Sequence, residues 1–208
     1  MHEWLVTWMQ WVEEWGYAGV VFLMALESSI VPVPSEVVVP PAAILAAQPD
    51  SSMSFWGVVA AGTLGSYIGS CVMYAAALWV GRPFVLRYGK WFLMPPHKVE
   101  AAERFMQRYS AVGIFFSRFL PVVRHLISIP AGIARVNFVV FSAVTLVGSA
   151  MWCAVLAWFG DKVGRDHPGI LRSPEELMAA MKDETGLFIG GVLMLAGLYA
   201  LMRYLTRK

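Results

Sequence analysis

The sequence predicts an all-α integral membrane protein built as an inverted repeat. Two re-entrant helical hairpins are each followed by a transmembrane helix, with an N-terminal interfacial helix and a C-terminal transmembrane helix added. Three observations predict this. Only 14 % of the 208 residues are charged and 58 % are hydrophobic, where a soluble domain carries about 25 % charged residues. Charge is absent from residues 51–81, 136–160 and 185–202, and a helix needs about 20 mostly apolar residues to cross a bilayer. All 16 Lys and Arg lie at or after Arg82, a one-sided distribution that sets orientation, because basic loops favour the cytoplasmic side.

Read in order, the chain forms one membrane domain, 1–208. Residues 1–15 hold Trp4, Trp8, Trp11 and Trp15 at helical spacing, which predicts an interfacial helix with an aromatic stripe at headgroup level. A basic n-region and a small-residue cleavage site are missing here, so no cleavable signal peptide is expected. Residues 16–80 form the first repeat, a broken segment to Ala47 and then a span over about 55–80. That span holds Gly65 and Gly69, a GxxxG spacing that lets two helix backbones approach closely. Residues 81–110 are a cytoplasmic connector whose part after Pro95-Pro96 reads as an amphipathic helix on anionic headgroups. Residues 111–160 are the second repeat, 161–184 an outer loop and 185–208 the last span, which leaves the C-terminus in the cytoplasm. Cys71 and Cys153 sit mid-span and read as packing residues without a disulfide.

The broken segments carry the chemistry. ESSIVPVPSE (27–36) places Glu27, Pro32, Pro34 and Glu36 inside an apolar run. On one straight helix the two carboxylates would lie on opposite faces, and a charge facing lipid costs at least about 2.5 kcal/mol. Pro32 and Pro34 break the helix, so the chain can fold back and turn both acids to one cavity. In AVGIFFSRFLPVVRHLISIPAGIA (111–134), Arg118 and Arg124 flank Pro121, and Pro130 follows. The two arginines sit about 120° apart on a straight helix; a break at Pro121 lets them converge.

Irregular backbone at membrane depth is tolerated where protein or a water-filled cavity covers it, and paired interruptions in two halves of a chain point to a midplane transport site. Two arginines in an apolar slot suit a phosphate headgroup, because the guanidinium fork binds phosphate bidentately and stays charged. A carboxylate in low dielectric can take up and release a proton, which makes Glu27 and Glu36 the proton-coupling candidates. His125 and Ser70 are accessory candidates. Neither cofactor nor metal is expected. The expected partners are a phosphate-headed lipid, the bilayer and protons, not nucleic acid; a homo-oligomer stays open.

These stretches, with GRPFVLRYGKW (81–91), FSRFLPVVRHLISIPAGIARVNFVVF (116–141) and GSAMWCAVLAWFG (148–160), resemble the DedA family of bacterial inner-membrane proteins, also called the VTT or SNARE-associated superfamily. The resemblance implies opposed re-entrant hairpins and a proton-dependent role in moving phospholipids or polyprenyl phosphates between leaflets, undecaprenyl phosphate first. It implies that Glu27 and Glu36 match the acids of the first hairpin, and Arg118 and Arg124 the paired arginines of the second. Many members have an aspartate where Ser70 follows Gly69, so coupling here rests on Glu27 and Glu36 or is absent.

Rival readings are a phosphatidylethanolamine-type scramblase, a proton-coupled small-ion or solute antiporter, a scaffold, and an enzyme. Ser117-Arg118 with His125 is similar to the SRxxxxxH motif of membrane phosphatidic-acid phosphatases. Six residues intervene instead of five, and Ile129 stands where an acid is expected. Covalent catalysis needs a nucleophile, a base and an orienting group, so no enzyme is expected.

Overall fold

The structure, a computed structural model, describes residues 11–12, 14–29, 35–49, 51–81, 111–119, 124 and 127–166. The chain divides into two compact units, Met1–Asp166 and His167–Lys208, and every described residue lies in the first. The expected C-terminal span, most of the interfacial helix and the amphipathic connector fall outside the described residues.

The described residues form helices joined by turns and short irregular stretches, without a strand. Residues 11–12 and 14–15 are helical, and Trp11 and Trp15 stack at 5.9 Å. Gly16, at φ 56°, turns the chain, a left-handed conformation open to glycine without steric cost. Helix α1 (Tyr17–Glu27) follows, then the 3-10 turn Ser35–Val37 and α2 (Val39–Ala46). Pro40 and Pro41 stand in the first turn of α2, where a missing N–H costs no hydrogen bond. The first long helix, α3 (Phe55–Ala76), starts where Ser54 Oγ accepts from the Gly57 N–H at 3.1 Å, a capping bond typical of serine. It runs on through a π-turn to Gly81.

The second half repeats the order. Residues 111–117 form α4, then come α5 (Ser128–Ile133) and the long α6 (Phe138–Asp166). Pro130 stands in the first turn of α5, so it helps start that helix rather than breaking one. Asn137 Oδ1 accepts from the N–H groups of Val139 and Val140, which caps α6. That helix passes the expected boundary at 160, where an outer loop was anticipated. Its last turns are held by an Asp161–Arg165 pair at 3.0 Å, one turn apart, so the helix continues after its apolar run has ended.

Two helical stretches are long and apolar enough to cross a membrane, Phe55–Gly81 and Phe138–Asp166. Their surfaces are inverted relative to a soluble helix. Leu64, Ile68 and Val72 on α3, and Val147, Met151 and Val155 on α6, are exposed. The buried faces hold Gly65, Ser66, Gly69 and Ser70, and Thr145, Gly148 and Ser149. Exposed Trp56 and Trp79 mark the ends of the first stretch, separated by about 34 Å of helix at about 1.5 Å per residue, close to the roughly 30 Å hydrocarbon core.

Packing is crossed between the halves. Helix α1 lies on α3, where Gly65 and Gly69 meet the carbonyls of Val21 and Ala25. The α4 segment lies on α6, through Arg118 against Gly148. The second limbs exchange partners: α2 packs on α6, with Pro40 on Gly160, and α5 packs on α3 and its π-turn, with Gly132 on Tyr74 and Ala77. Near this second contact Tyr74, Ile114, Ala131 and Phe141 form a buried cluster, with Tyr74 and Phe141 stacked at 4.6 Å. The Tyr74 hydroxyl donates to the Val136 carbonyl. Tyr74→Phe should lower stability by about 1 kcal/mol, the worth of one net hydrogen bond, and Tyr74→Ala by about 3–5 kcal/mol through the cavity it leaves. Thermal melts of the purified variants test the order.

Candidate functional site

Polar groups from both halves of the chain meet at one point. Helix α1 ends on Glu27, and the N–H of Ser35, in the 3-10 turn, donates to Glu27 Oε1 at 2.8 Å. Arg124, which lies between α4 and α5 in the chain, donates Nη2 to the same Glu27 oxygen and to Ser35 Oγ. Glu36 stands 3.9 Å from Arg124 and is partly exposed. Trp152 on α6 closes the group: its ring lies 5.3 Å from the Arg124 guanidinium carbon, and its indole N–H donates to Ser35 Oγ at 3.3 Å. Phe119 packs edge-on against that ring. Glu27 and Arg124 are 2 % and 7 % exposed, so the pair is out of solvent and its Coulomb attraction is little screened.

Arg118 occupies a separate place. Its Nη1 donates to Ser70 Oγ and its Nη2 to Thr145 Oγ1, both at 3.0 Å. It is 3 % exposed, and these hydrogen-bond partners are neutral. The two long helices meet through hydroxyls nearby. Ser66 Oγ lies 3.0 Å from Ser28 Oγ and 3.2 Å from Ser149 Oγ, and Ser70 Oγ donates to the Ser66 carbonyl. A small void with room for about one water molecule is lined by Ser28, Ser66, Ser149, Arg118 and Arg124. Met24, Trp152 and Cys153 complete its wall.

Of the residues singled out in the sequence, Glu27, Glu36 and Arg124 meet, Arg118 joins them only across the void, and Ser70 anchors Arg118. Pro32, Pro34, Pro121 and His125 lie outside the described residues. Sequence reasoning passed over Ser35, Thr145, Ser149 and Trp152. A signal was present for three of them. Thr145 and Ser149 stand one turn apart in an uncharged span, as Ser66 and Ser70 do, and Trp152 sits mid-span, away from the interfacial level that tryptophan favours. Among the described residues no group of three or more His, Cys, Asp or Glu could hold a metal ion.

Two helices long and apolar enough to cross a membrane, with a buried acid and base brought together beside them, fit an all-helical membrane protein with an internal polar site. The VTT domain family matches residues 33–162, and the chain belongs to that family, the DedA family its motifs resemble. It is 34 % identical over 156 residues to undecaprenyl phosphate transporter A of Bacillus subtilis, covering 75 % of this chain and 76 % of that protein. It is 27 % identical over 203 residues to undecaprenyl phosphate transporter A of Staphylococcus aureus, covering 96 % and 95 %. An alkaline phosphatase-like protein of Lactococcus lactis is 31 % identical over 198 residues, covering 89 % of each chain. No solved structure matches significantly.

Proposed function

We propose that this protein is a transporter that carries a phosphate-headed lipid, undecaprenyl phosphate first, between the leaflets of the bacterial inner membrane, coupled to protons. The observation that carries the reading is the buried Glu27–Arg124 pair, contributed by two broken segments distant in sequence. The crossed packing of the two halves supports an inverted repeat, with one hairpin dipping from the outer face and the other from the inner. The basic connector 82–110 supports a cytoplasmic placement for that loop and, with the spans that follow, for the C-terminus.

Competition for one guanidinium supplies a coupling mechanism. With Glu27 ionised, Arg124 is held by the carboxylate, Ser35 and the Trp152 face. The void beside it is too small for a phosphate headgroup, so this is a closed arrangement. Proton uptake by Glu27 removes the negative charge that holds Arg124, and a lipid phosphate takes its place as counter-ion. Release of the proton on the opposite side restores the pair and expels the phosphate. Proton and lipid thus travel in the same direction, and an acidic outer face drives lipid inward.

The protein is read as a carrier rather than a phosphatase. The Ser117 hydroxyl donates to the Ile114 carbonyl at 2.6 Å, a local helix bond that does not activate it as a nucleophile. The test is flux of labelled undecaprenyl phosphate in proteoliposomes, with and without an acidic exterior. Wild type should move lipid faster under the gradient without releasing inorganic phosphate from undecaprenyl pyrophosphate, and Arg118→Gln should reduce flux at least about tenfold, the equivalent of about 1.4 kcal/mol. Flux of inorganic phosphate without lipid flux would favour a solute antiporter, and wild-type flux in Arg118→Gln would remove that residue from the site.

A further inference from the structure

We infer that the void between the two long helices is a binding site for a monoatomic halide, chloride in the cell. Three observations converge on it. Both buried arginines line it. The Nε atoms of Arg118 and Arg124 are each buried without a hydrogen-bond partner among the described residues, and an unpaired buried donor is costly. Three hydroxyls from three elements, Ser28, Ser66 and Ser149, line the same space; the two hydrogen bonds among them use two of their three protons, which leaves one to turn toward an anion.

Charge decides in favour of an anion over water. Glu27 bonds Arg124, and Glu36 stands 3.9 Å from Arg124. Neither carboxylate lines the void. Arg118 has Ser70 and Thr145 as its hydrogen-bond partners, so its charge has no direct counter-ion among the described residues, and buried charges are ordinarily paired. Size decides in favour of a halide over an oxyanion. The space suits one water molecule; a chloride is larger and seats there as the flexible Met24 side chain in the wall gives way, whereas phosphate carries four oxygens and needs far more room. Met24, Trp152 and Cys153 supply a poorly hydrated wall, which suits a weakly hydrated anion. The inference holds whether or not the cargo is a lipid.

The experiment is a thermal-stability titration of the full-length purified protein in detergent with sodium chloride, sodium bromide and sodium gluconate at constant ionic strength. Chloride and bromide should raise Tm saturably and gluconate should not. Ser149→Ala removes one donor and should weaken the apparent halide affinity about fivefold, the equivalent of about 1 kcal/mol; Arg118→Gln should abolish the effect. A bromide anomalous peak within hydrogen-bonding distance of both arginines would locate the ion. Equal Tm in all three salts means an ordered water only, and a halide effect unchanged by Ser149→Ala means an ion bound elsewhere; either result overturns the proposal, even if Arg118→Gln fails to fold. Tm and lipid flux are separate readouts, so a failure of one leaves the other standing.

Discussion

Arg124→Ala should stop lipid transport and destabilise the protein by about 3–5 kcal/mol, the usual consequence of removing one member of a buried ion pair. The reason lies in what remains. Glu27, 2 % exposed, would keep its Ser35 N–H bond but lose its cation, and Ser35 Oγ would lose a short donor. Glu27→Gln is the informative companion. The amide oxygen still accepts from the Ser35 N–H and from Arg124, so stability should fall by less than about 2 kcal/mol, a cost nearer that of one perturbed hydrogen bond. Gradient-driven flux should nevertheless disappear, because the amide has no proton to exchange. The double variant should be more stable than the sum of the singles implies, since neither charge is left stranded. Chemical denaturation in detergent and flux in proteoliposomes, measured on all three variants, test the set. Gradient dependence persisting in Glu27→Gln would move proton coupling to another group.

Gly65→Leu and Gly69→Leu should be the most damaging substitutions outside the polar site. A Cβ at either position would overlap a carbonyl oxygen of α1, that of Val21 or Ala25. Backbone cannot step aside as a flexible side chain can, so α1 must move off α3. Overpacking ordinarily costs about 1–3 kcal/mol; here the displaced helix ends on Glu27 and carries Ser28, so the acid leaves Arg124 and the hydroxyl bridge to Ser66 opens. Loss of folded yield and of flux together is expected. Gly113→Leu is the control, because nothing lies within 4 Å of a Cβ there and expression should stay near wild type. Monodispersity on size exclusion, compared across the three, reads the difference.

The long helices were legible because two independent signals agreed. Charge-free runs placed spans near 55–80 and 137–160, and Phe55–Gly81 and Phe138–Asp166 occupy those regions. The overrun to Asp166 was missed because a hydropathy reading stops at the first charges, while the Asp161–Arg165 pair keeps the helix intact. Acids and bases in apolar surroundings singled out Glu27, Glu36 and Arg124, which the structure brings together. Partner choice was not legible. Whether Arg118 or Arg124 reaches Glu27 depends on how four helices cross, and sequence separation holds no record of that angle. Ser35 was hidden for another reason: serine is common in turns, and its role at this junction exists only once three chain segments meet around it.

The exchange of limbs between the halves governs the order in which the protein can be made. Helix α1 finds its partner within a few dozen residues, as soon as α3 has been synthesised, but α2 must wait for α6, far downstream. Until then the face of α2 that Gly160 and Gly164 cover, at Pro40 and Ile44, lacks its main neighbour. The first half therefore reaches its final packing only after the last turns of α6 have been synthesised.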